Sequence, residues 1–157
     1  MKGELLELKA RVGAGIEAIE EIFEKLEKLK GKKTEYEVIS AGYYLHNLYC
    51  AFEDIFESVS AVFGNQVEDE LQWHRELLLR MKLDIKGLRP RLISAKVYKI
   101  LDELRRFRHI FRHAYEYELD PGKVEVLLQK IPTLKNSYRK DMEKFIDFLD
   151  KVAQQEK

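Results

Sequence analysis

Apolar positions along this chain recur in steps of three and four, the spacing that lines up one face of a helix. Between residues 4 and 30 the seam runs Leu5, Leu8, Val12, Gly15, Ile19, Ile22, Leu26 and Leu29. Gly13 and Gly15 weaken the middle of that helix and leave room for a close crossing with a neighbour. Gly31-Lys32-Lys33 ends it. Thr34, with Glu37 three residues on, carries the capping-box pattern that opens a second helix. Its seam, Val38, Ala41, Leu45, Leu48, Phe52, Ile55, Val59 and Val62, is close to four heptads long, so the first two helices read as a long antiparallel hairpin. Tyr43, Tyr44, Tyr49, Phe56 and Phe63 widen the apolar face of the second helix beyond one seam, which requires more than one neighbour. His46 lies within that face and reads as a satisfied core histidine.

Gly64-Asn65 stops the second helix. A shorter third helix is predicted over about 68–83, with Leu71, Leu77, Leu78 and Met81 inward and Trp73-His74-Arg75 at its centre. Residues 84–91 form the main loop, punctuated by Gly87 and Pro90 and rich in Lys and Arg; it either folds over a phosphate chain or is a solvated connection. Ser94 caps a fourth helix, predicted over 94–118, with Val97, Ile100, Leu101, Leu104, Phe107 and Phe111 inward. Asp120-Pro121 supplies an N-cap followed by Pro at the first helical position. The last helix runs to about 153 through Leu127, Leu128, Leu134, Tyr138, Phe145 and Leu149, and Pro132 is expected to kink or split it. The pattern predicts an all-α, up-and-down bundle of about five helices, a long hairpin plus shorter helices, in one domain over residues 1–157.

Composition narrows the class. Hydrophobic residues at 45% and charged residues at 36% fit a globular chain with a real core. Cys50 is the only cysteine, which excludes an intrachain disulfide and a cysteine-based zinc site. The start does not resemble a signal peptide, and the most apolar stretch, 39–52, is too short and too interrupted by His46 and Asn47 to span a bilayer. A cytoplasmic protein without membrane association is the expectation.

The net charge of zero conceals an asymmetry. Residues 1–73 hold 8 Lys and Arg against 15 Asp and Glu, residues 114–157 hold 8 against 9, and residues 74–113 hold 12 against 4, a local charge of +8. Such a block favours a polyanion, most commonly nucleic acid, although it can also pair with the acidic first helices. Within it lies Leu104-Arg105-Arg106-Phe107-Arg108-His109-Ile110-Phe111-Arg112-His113-Ala114-Tyr115-Glu116-Tyr117. Three of the four histidines of the chain fall between residues 74 and 113. On a helical wheel Tyr115 lies about 20° from Arg108 with Arg112 near both, whereas Arg108 and His113 stand about 140° apart and flank a groove.

Arg108, four residues, His113, one residue, Tyr115 resembles the Arg-x4-His-x-Tyr signature of the HepT-like toxins, which belong to the HEPN group of helical ribonucleases. Trp73-His74-Arg75, Leu77-Leu78, Met81, Arg89-Pro90 and Phe107-Arg108-His109 look like the same branch, so the likeness covers roughly residues 70 to 120. The resemblance implies a homodimer in which two such helices face each other and pool their Arg and His residues. It further implies a nucleotidyltransferase antitoxin that adds AMP to Tyr115.

Metal-free cleavage of RNA needs a base for the ribose 2′-OH, an acid for the 5′-oxygen and cations for the charge that develops on phosphorus. Arg108 and His113 are the catalytic candidates, one as phosphate clamp and the other as proton carrier. Arg105, His109 and Arg112 would follow the RNA backbone, with His74 and Arg75 as auxiliary groups. Replacing Arg108 or His113 with Ala should abolish cleavage while the fold persists. His109, His113 and Glu116 could instead ligate Zn²⁺, but the surrounding arginines repel a dication. Neither a Gly-rich phosphate loop nor a nucleophilic Ser or Cys motif occurs, so no metal or cofactor is expected. The rival reading is a non-catalytic helical module that binds a nucleotidyltransferase or nucleic acid.

Overall fold

A computed structural model describes residues 1–64, 72–113 and 118–156. Five helices follow one another: α1 (Lys2–Leu29), α2 (Glu35–Phe63), α3 (Trp73–Met81), α4 (Ala95–Arg112) and α5 (Pro121–Gln155). No β-strand occurs among the described residues, and the fold is the all-α bundle that the periodicity predicts.

The predicted caps form. Thr34 accepts a hydrogen bond from the Glu37 amide, and the Glu37 carboxylate accepts from the Thr34 amide in return. The Ser94 hydroxyl accepts from the Val97 amide, and Asp120 accepts from the Gly122 amide at 2.8 Å ahead of Pro121. Gly64 closes α2 in the left-handed region, φ 70°, where a side chain would be strained.

A short connection folds α2 back along α1. Their closest approach is at Gly15, where an added Cβ would lie 2.5 Å from the Ile55 side chain. Gly15 is therefore the close crossing; Gly13 faces open space. Lys9 pairs with Asp150, and Glu20 with Tyr138 and Arg139, so α5 runs antiparallel to α1. Ser94 donates through its amide and hydroxyl to Asp141, and Lys130 pairs with Glu103, so α4 runs antiparallel to α5. One apolar core joins residues of all five helices. Most residues of the predicted seams are buried within it; Gly15, Leu29, Val62 and Phe111 are half-buried, and Phe23 takes a fully buried place that the α1 seam had given to the half-buried Ile22.

Three expectations change. Pro132 does not split the last helix, because α5 is continuous from Pro121 to Gln155. Ile131, Leu134 and Tyr138 are buried around the proline, and this packing offsets the backbone hydrogen bond that the ring removes. The fourth helix ends at Arg112 with His113 as its cap, and Glu118 is non-helical. Finally, the 84–91 loop is not only a solvated connection. Arg89 is buried and donates to the carbonyls of Arg80, Leu83 and Pro90, tying the loop to the C-terminal end of α3. Residues 68–71, including Leu71, and residues 114–117, including Tyr115, Glu116 and Tyr117, lie outside the described residues.

Candidate functional site

The last two turns of α4 are amphipathic in an unusual way. Leu104 and Phe107 enter the core, and Arg105, Arg108, His109 and Arg112 lie off that buried face, beside Arg106, Ile110 and the half-buried Phe111. The C-terminal end of a helix carries partial negative charge, which favours the cations gathered there. Opposite them stands the first turn of α3, with His74 and Arg75. Gln72 precedes it, its side chain making no capping bond. Together Gln72, His74, Arg75, Arg105, Arg108, His109, Arg112 and His113 line a cavity of about 290 Å³. Seven of these eight side chains are Arg or His, and none is acidic.

Arg108 forms the floor. Its side chain is 16% exposed, and Nη1 donates to Glu53 Oε1 of α2 at 3.1 Å. The guanidinium carbon lies 5.9 Å from the centre of the Tyr49 ring. His74 Nδ1 sits 2.7 Å from Glu53 Oε2, the other oxygen of the same carboxylate. The Trp73 ring packs edge-on against His74 at 4.6 Å. At the mouth, the His109 and His113 rings meet edge to face at 4.9 Å. Arg105 is half-buried and bonded to Asp102 at 2.9 Å, which offsets part of its charge, while Arg112 is exposed.

Burial, and then the negative charge of Glu53, pushes the Tyr49 phenol well above its ordinary value. Burial also raises the Cys50 thiol, against the opposing charge of Arg108, which keeps it a poor nucleophile. His46 is half-buried, 3.9 Å from the Cys50 sulfur, with its ring 5.4 Å from that of Phe111. Among the described residues no group of three or more His, Cys, Asp or Glu could hold a metal ion, and Glu116 lies outside them.

A family model described as HepT-like protein matches residues 40–149, more than half of the chain. The chain belongs to the HepT-like family. No curated protein and no solved structure matches it. The matched span contains every residue that lines the cavity and omits α1.

Of the predicted site residues in this HepT-like protein, Arg105, Arg108, His109, Arg112, His113, His74 and Arg75 all reach one cavity, and Tyr115 lies outside the described residues. Two features differ from expectation. Arg108 lies deep and ion-paired rather than free in an open groove, so its replacement by Ala would disturb a buried carboxylate as well as the site. Sequence reasoning also missed Glu53, which is 4% exposed. The signal was present: Glu53 follows Tyr49 by four and precedes Phe56 by three, a carboxylate in line with the second apolar stripe of α2. No helix among the described residues is long and apolar enough to cross a membrane.

Proposed function

We propose that this HepT-like protein is a metal-independent endoribonuclease toxin. It cuts RNA at the Arg108 and His113 cavity, placed at a homodimer interface, and a cognate nucleotidyltransferase antitoxin silences it by adding AMP to Tyr115. The observation that carries this reading is the cavity lining, which among the described residues holds seven Arg or His side chains and no carboxylate, on the span that matches the family. A phosphodiester entering it meets Arg75, Arg105 and Arg112 beside the first turn of α3, an arrangement suited to a backbone phosphate. Arg108 on the floor stabilises charge on the phosphorane, and His113 transfers a proton to or from the RNA. Ile110, 46% exposed between the cavity residues His109 and Arg112, gives α4 an apolar surface for a second copy, and light scattering tests the dimer.

Purified protein should yield a 2′,3′-cyclic phosphate and a 5′-hydroxyl, with or without EDTA. Arg108→Lys, which keeps the charge and loses the planar fork, and His113→Ala should each remove cleavage. RNA that binds and stays intact under all conditions would support the non-catalytic binding module instead. Tyr115→Phe should remain ribonucleolytic and escape inhibition by a co-expressed nucleotidyltransferase, whereas the wild type should gain the mass of AMP at Tyr115.

A further inference from the structure

Cleavage by internal transesterification needs two proton carriers, and each chain brings His113 to the cavity. The same cavity holds a second imidazole with an unusual setting. His74 Nδ1 lies 2.7 Å from Glu53 Oε2, and the carboxylate oxygen can only accept, so Nδ1 carries the hydrogen and donates it. This selects the tautomer in which Nε2 is the ring nitrogen left to exchange a proton with whatever enters the cavity. Arg108 Nη1 donates to the other Glu53 oxygen at 3.1 Å and lies 3.2 Å from His74 Nδ1. With Nδ1 as a donor, the short distance between those nitrogens is two donors sharing one carboxylate rather than a hydrogen bond between them. Glu53 therefore orients both groups and balances the charge of Arg108. Its 4% exposure keeps water from competing for either bond. Among the described residues, the other charged or titratable groups around His74 are Glu57 from α2, Arg75 on its own helix, Arg105, His109 and Arg112 from α4, and His113 at the cap of α4.

We propose that His74 is a proton-transfer group of the reaction, held in position by Glu53. This rests on the ribonuclease reading of the cavity. One imidazole takes the proton of the ribose 2′-OH as O2′ bonds to phosphorus. The other gives its proton to O5′ as the P–O5′ bond breaks. The electron pair of that bond leaves with O5′, the phosphodiester charge passes to the cyclic product, and the two imidazoles exchange protonation states. No water, metal or redox partner enters the balance. His74 is then a catalytic residue, and Glu53 is a positioning residue.

Single-turnover cleavage of an RNA oligonucleotide by the full chain tests the proposal, with His74→Gln, His74→Ala and Glu53→Gln beside Arg108→Lys and His113→Ala. Gln keeps an N–H donor for Glu53, so H74Q should melt like the wild type and bind RNA equally well. Its cleavage rate should fall by about 100-fold or more, the loss expected of a proton-transfer group. Imidazole in solution should restore part of the rate of H74A. E53Q should fall less and should shift the pH dependence of cleavage, because a neutral amide stabilises an imidazolium poorly. Wild-type cleavage by H74Q, with R108K and H113A inactive, would overturn the role of His74 and leave the ribonuclease reading standing. Cleavage that survives in R108K and H113A, or a wild type that cuts no RNA, would overturn that reading and this proposal with it.

Discussion

Glu20 on α1 and Glu53 on α2 each bring together an arginine and a second side chain that carries a proton, both from other helices. Glu20 accepts from the Tyr138 hydroxyl and from Arg139 Nε at 2.7 Å, with its side chain 30% exposed. The rings of Phe23 and Phe52 flank Tyr138, each at 5.4 Å, so the cluster fastens α5 onto the α1–α2 hairpin. The hydrogen bond from Arg139 holds the Glu20 carboxyl below its ordinary value, and burial raises the Tyr138 phenol, so neither changes charge near neutral pH. Glu53 is deeper, its side chain 6% exposed, and its partners line a cavity. Its second partner is an imidazole, His74, which lines that cavity. Two carboxylate-centred clusters of similar make-up thus differ in depth and in the space that adjoins them.

The largest contrast is expected on removing each arginine. Arg108→Ala leaves Glu53 buried with His74 alone and should destabilise the fold by about 3 kcal/mol. Arg139→Ala, at a site 46% exposed on the arginine side, should cost less than about 1 kcal/mol. Urea unfolding of both variants measures the difference, and equal losses would break the distinction.

Acid titration sharpens the comparison at intermediate scale. Glu20 has a depressed folded-state pKa, so its contribution is fully present above the ordinary 4.5 and is lost as pH falls through the depressed value. Glu20→Gln should flatten that acid limb. Glu57, one helical turn from Glu53, has the opposite sign, because burial first and then the charges of Glu53 and Asp54 raise it. The folded state then binds the Glu57 proton more tightly than the unfolded state, and stability falls as pH rises from 4.5 through the raised value. Glu57→Gln should remove that decline. Urea midpoints from about pH 3 to about pH 7 read both limbs.

The smallest effect belongs to the exposed rim. Arg112→Ala should weaken RNA binding to a similar extent for all sequences and lower the slope of log K against log salt by about 0.7, the share of one single-strand phosphate contact. Filter binding across a salt series checks it.

The hydrophobic period, the caps at Thr34, Ser94 and Asp120, and the Arg-x4-His-x-Tyr spacing were legible in the chain because each depends on residues within a turn or two of one another. They determined five helices, their inward faces and the clustering of Arg108, His109, Arg112 and His113 on α4. What required the tertiary structure was every decision made between helices. Arg89 and Arg108 are both arginines of one basic block, yet one is sealed against three backbone carbonyls and the other shares a carboxylate with an imidazole. Glu53 stands 21 residues from His74 and 55 from Arg108, separations at which no local pattern specifies a contact. Pro132 reads as a break within its own helix and is overridden by the apolar side chains that α5 buries on either side of it. Local backbone and side-chain periodicity is set by short-range sterics and so is written in sequence order. The pairing of buried charges depends on which surfaces meet once the core has excluded water, and only the packed bundle decides that.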